Sequence, residues 1–158
     1  MKRWLAPMAV TGLLVAGAGP AVAAPPTNID GTTISWPCPQ FTQNVTLVLT
    51  GKSKTINLPG GGAIGASPNL RVTATAPNGH SASYVITGAL HITFNADGSQ
   101  NYIATGRNLN LVPAANGHPS GLSLTTGTWT FALNPDFSEK TPLAGSGTRL
   151  EVCQVLAG

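Results

Sequence analysis

The chain has 158 residues, only 8% of them charged, and a formal net charge of +3. Lys2 and Arg3 supply most of that excess, so the rest of the chain sets six basic side chains against five acidic ones and has no basic cluster with which to grip a phosphate backbone. Nucleic acid is excluded as a partner on that ground, and the length suits one domain with one core.

Residues 1–23 read as a secretory signal peptide. Lys2 and Arg3 form a basic start, Ala9 to Ala18 is a short apolar run, and Ala21-Val22-Ala23 offers small side chains at a cleavage site. The run is too brief to cross a bilayer and no later stretch is long enough, so the protein is expected not to span a membrane. Residues 24–158 are then a single β-domain, secreted or held in the cell envelope.

Trp36 and Cys38 come next. An exported location is oxidising, and the chain's two cysteines, Cys38 and Cys153, lie near opposite ends of the domain, so a disulfide between them is expected. Closing a loop of roughly a hundred residues stabilises by up to about 4.7 kcal/mol in the chain-entropy model. The bridge requires the first and last ordered segments to be neighbours. No His or Cys companions accompany the pair, which argues against a metal site.

Between the cysteines the apolar period is two. Val45, Leu47 and Leu49 alternate with polar neighbours, and so do Leu70, Val72 and Ala74; Leu90, Ile92 and Phe94; and Trp129, Phe131 and Leu133. Leu150 and Val152 repeat the theme at the end. Asn78-Gly79 and Asp97-Gly98 are tight-turn dipeptides between such runs and predict two hairpins. Gly88 and Gly106 interrupt long runs and predict bends. Pro59–Gly65, Pro113–Gly121 and Asn134–Gly147 read as loops. The expected fold is all-β, a single antiparallel β-sandwich with the disulfide joining its terminal strands. A closed or flattened meander β-barrel is the alternative.

Chemistry has to come from few groups. Asp30, Asp97, Asp136, Glu139 and Glu151 form no recognisable pair. Asp97 belongs to turn chemistry, Asp136 and Glu139 could meet Lys140, and Glu151 beside Arg149 belongs on the outer face of the last strand. His80 and His118 follow loop glycines, and His91 alternates with Leu90 and Ile92 and should point outward; their spacing suits no metal. Neither Gly-x-Ser-x-Gly nor, after residue 23, Ser-x-x-Lys occurs. No catalytic residue, metal or cofactor is therefore expected. Trp129 shares parity with Phe131 and belongs to the core, whereas Trp36, between Ser35 and Pro37, is the candidate binding residue.

The leader, the cysteine pair, the series Ile86-Thr87-Gly88-Ala89-Leu90-His91-Ile92-Thr93, the Asp97-Gly98 turn and Thr105-Gly106-Arg107-Asn108 together resemble small secreted actinobacterial β-rich proteins of uncharacterised function. The resemblance implies an extracellular or cell-envelope location and brings no active site to transfer. The functional expectation is an exported non-enzymatic β-domain that binds an envelope glycan or an extracellular protein. The alternatives are a secreted hydrolase, whose site would be assembled from residues distant in sequence, and a purely structural envelope protein.

Overall fold

The computed structural model describes residues 24–115 and 117–158; the signal-peptide reading of residues 1–23 falls outside them. Eleven strands and one short helix follow in chain order: β1 (Thr27–Asn28), β2 (Thr32–Trp36), β3 (Val45–Thr50), β4 (Lys52–Leu58), β5 (Gly62–Ala66), β6 (Arg71–Thr75), β7 (Ser81–Val85), β8 (Ala89–Phe94), β9 (Gln100–Val112), β10 (Gly121–Leu133), β11 (Glu139–Glu151) and α1 (Val152–Ala157). All pairings are antiparallel. They form a four-stranded sheet, β2-β3-β6-β7, and a seven-stranded sheet, β1-β4-β5-β8-β9-β10-β11. Neither closes on itself, so the sandwich holds and the barrel does not.

The alternating positions meet between the sheets. Val45, Leu47, Val72 and Ala74 of the small sheet pack with Leu122 and Leu124 of β10 and with Val152 and Leu156 of α1. Leu47, Leu122 and Leu156 are at most 1% exposed, and burying side chains of this size stabilises by about 1.5–3 kcal/mol each. The last of the chain's crossings between the sheets, from β7 to β8, is at Gly88, where a Cβ would fall 2.6 Å from the Thr105 carbonyl oxygen. The disulfide joins Cys38 to Cys153 with Cα atoms 5.6 Å apart. It links the first and last segments as expected, with each cysteine just beyond the end of its strand. Cys38 lies in the loop after β2, and Cys153 lies in α1, which begins where the last strand was expected to continue. Asn78 and His80, in the β6–β7 turn, contact the Leu156 carbonyl oxygen through Nδ2 and Nδ1 at 3.0 and 3.1 Å and pin the end of the helix.

One turn is used three times. In Ala76–His80, Asn95–Ser99 and Asn134–Ser138 the first residue's N–H donates to the fifth residue's carbonyl, and the fourth residue's N–H returns to the first residue's carbonyl. The Asn or Asp at the third place accepts from the fifth residue's N–H at 2.9–3.0 Å. The fourth residue sits at positive φ: Gly79 at 88°, Gly98 at 81° and Phe137 at 63°. The Asn-Gly and Asp-Gly hairpins were legible. The third was not, because a phenylalanine holds the glycine's place, and Asn134–Gly147 is therefore a hairpin turn plus most of a thirteen-residue strand, not a loop. Pro59–Gly65 is likewise a short turn leading into β5.

Gly106, Gly127 and Gly147 stand opposite one another across β9, β10 and β11. Their φ values are 73°, 116° and 126°, conformations that L side chains avoid. A Cβ on Gly147 would lie 1.9 Å from the Thr126 carbonyl oxygen. This row is the corner at which the three long strands curl.

Candidate functional site

Because paired residues share a face and residues two apart share it too, the register gives the seven-stranded sheet two different sides. Near the start of β10, Leu122 and Leu124 face the small sheet, and on the same side beyond the corner Thr126, Thr128 and Thr130 are exposed. Thr128 pairs with Thr105 and Ser146, and Thr126 with Arg107 and Thr148, so this outer face is rich in hydroxyls. His91 lies on it, exposed as its alternation suggested, with no ion pair to Arg107 among the described residues.

The other side is concave. Tyr102 and Phe131 stack there with ring centroids 4.6 Å apart, and Trp129 is buried, as expected, opposite Gly145, where a Cβ would press against the indole at 3.0 Å. Towards the start of β10 the same side turns polar. The buried Asn110 amide donates to Thr125 Oγ1 at 2.9 Å, and Ser123 Oγ donates to both oxygens of Glu151 at 3.2 Å. No buried side-chain nitrogen or oxygen among the described residues lacks a partner.

The curl brings both ends of β11 to one cleft of about 290 Å³, together with the β9–β10 loop and the neighbourhood of the disulfide. His118 Nε2 lies 2.9 Å from each Glu139 oxygen, and its Nδ1 lies 2.9 Å from the Pro119 carbonyl oxygen. Both partners are acceptors, so a doubly protonated imidazolium satisfies them together. The Pro119 carbonyl, then Glu139, accordingly raises the His118 pKa above its usual value, with desolvation and, less, Arg149 opposing. Arg149 Nε donates to Glu151, which Ser123 also holds. Gln40, Gln154, Pro142 and Leu143 complete the walls.

Several carboxylates therefore have other partners than the sequence suggested. Lys140 meets neither Asp136 nor Glu139; its Nζ donates to Asp97 at 3.0 Å and to Ser99 at 2.8 Å. Ser99, with help from Lys140, holds Asp97 well below the ordinary carboxylate range. Asp136 takes Ser138, Glu139 takes His118, and Glu151 turns into the cleft rather than standing alone on an outer face. Trp36 is half-buried against the core and donates from Nε1 to the Gly121 carbonyl at 2.9 Å, which places it beside the cleft's wall. No group of three or more metal-ligating side chains occurs among the described residues. No helix among them is long and apolar enough to cross a membrane. The chain matches no known family model, no curated protein and no solved structure.

Proposed function

We propose that the protein is an exported, non-enzymatic β-domain that binds a polar envelope or extracellular component, and that the cleft between His118 and Glu151 is where it does so. The observation that carries this reading is the way the cleft's groups are committed. Both ring nitrogens of His118 point at acceptors, so while it is protonated the ring holds no lone pair to act as a base. Ser123 is fully buried and its hydroxyl donates to a carboxylate, not to an imidazole, so it does not form a serine–histidine pair open to a substrate. What remains on offer is a set of fixed carboxylate acceptors, the unused N–H groups of Arg149 and the amides of Gln40 and Gln154, a lining suited to a ligand rich in hydroxyls such as a glycan. The disulfide accords with an oxidising location.

Titration calorimetry with soluble envelope glycan fragments tests the reading. Binding is expected, weakened at least tenfold in Glu151→Gln, with no new reducing ends released. A hydrolase is the second reading, favoured by the one fact that Glu139 and Glu151 line the same cleft. Turnover of the glycan that disappears in Glu139→Gln would replace the binding proposal by that one.

A further inference from the structure

The three hairpins β4–β5, β8–β9 and β10–β11 turn at the same end of the seven-stranded sheet, as their alternating strand directions require. They touch in sequence. The Phe94 N–H reaches the Gly61 carbonyl at 3.3 Å, Lys140 bridges to Asp97 at 3.0 Å, and Pro135 packs on Gly98. Each tip carries a large apolar side chain in solvent: Leu58 is 39% exposed, Phe94 51% and Phe137 55%. We propose that these three tips form a docking surface that inserts into the interfacial zone of a zwitterionic lipid layer, independently of the cleft.

Two observations carry it. The first is the backbone at Phe137. The sister turns put glycine at that place, and a bulky residue at positive φ is costly and rare. Its ring is not repaid by burial, so the strain serves something outside the folded domain. The second is shape and charge. The tips are convex, and three separate side chains fall well short of the roughly 800 Å² per partner that a stable protein interface buries, whereas a lipid interface accepts protruding apolar groups without a matching pocket. The charges at the tips are spent internally: Asp97 on Lys140 and Ser99, Asp136 on Ser138. With two carboxylates to one ammonium, the surface has no attraction for anionic lipid. The consecutive apolar residues of a spanning segment are not needed, since the fold brings the tips together.

Flotation with phosphatidylcholine vesicles tests the proposal on the oxidised protein. It should float with the vesicles, less so when a third of the lipid is phosphatidylserine. Phe94→Ser combined with Phe137→Gly should lose at least tenfold in partitioning, while Val155→Ser, which removes an exposed apolar side chain on α1, should leave it unchanged. Phe137→Gly alone should weaken flotation and raise the urea midpoint, a pairing that a merely structural phenylalanine would not produce. Wild-type protein that stays with the aqueous phase, or a double variant that floats as well as wild type, overturns the proposal. So does a lower urea midpoint in Phe137→Gly. A concentration-dependent dimer abolished by the double variant, without flotation, would assign the tips to a second copy instead.

Discussion

Replacing Gly147 by alanine tests whether the glycine corner is what brings the cleft together. At φ 126° an L residue pays about 1–3 kcal/mol for the backbone alone. The new Cβ would also stand 1.9 Å from the Thr126 carbonyl oxygen, so the two strands must part by about 1 Å, weakening one or two ladder hydrogen bonds worth about 0.5–1.5 kcal/mol each. The sum, about 1.5–6 kcal/mol, is a large part of a typical domain's 5–15 kcal/mol. Gly31→Ala is the control: its φ of 81° is also left-handed, but nothing lies within 4 Å of the added atom, so strain of about 1–2 kcal/mol is all it should cost. Urea denaturation of both variants measures the difference. In Gly147→Ala protein that remains folded, an NMR titration should also show the His118 pKa falling back towards its usual value near 6.5, because the straightened strand carries Glu139 away. Equal destabilisation in the two variants, or an unchanged His118 titration, would refute the argument that the corner builds the site.

Thiol labelling of unfolded, unreduced protein should find no free cysteine, and reduction should lower stability by up to about 4.7 kcal/mol, read as a shift in urea midpoint. His118 has a raised folded pKa, so its contribution is full below the unfolded value near 6.5 and is lost as pH rises through the folded value; the gap in urea midpoint between wild type and Glu139→Gln should therefore be wider at pH 6 than at pH 8. Leu122→Ala, at a side chain with no exposure, should cost about 2–5 kcal/mol in the same assay without altering the His118 titration.

The strands and two hairpins were legible because alternation and Asn-Gly or Asp-Gly turns are local signals, and the cysteine pairing because only two cysteines exist. What escaped was set by contacts distant in sequence. Phe137 hides a turn that glycine would have advertised. The stretch from Glu139 to Gly147, with its proline and glycines, looks like loop, yet Glu139, Thr141 and the residues from Ala144 to Gly147 pair with β10. Val152 has the parity of a strand residue and instead starts a helix that places Cys153 against Cys38. The cleft was out of reach for the same reason: His118 and Glu139 are 21 residues apart, and only the curl of three strands, itself dependent on glycines read singly as bends or loop, lets them meet.

The strand that closes the large sheet has thirteen residues, and no strand among the described residues pairs with its outer edge. A flat edge of that length is a template on which other chains can add strands and grow into fibrils. Here the polypeptide defends itself by geometry. Pro142 withholds one amide, the register slips beside it, and the left-handed Gly147 swings the remaining half out of plane. An incoming strand could follow the edge for only a few residues before losing its partners. The curvature that shapes the cleft thus also leaves little flat backbone for strand addition along this border.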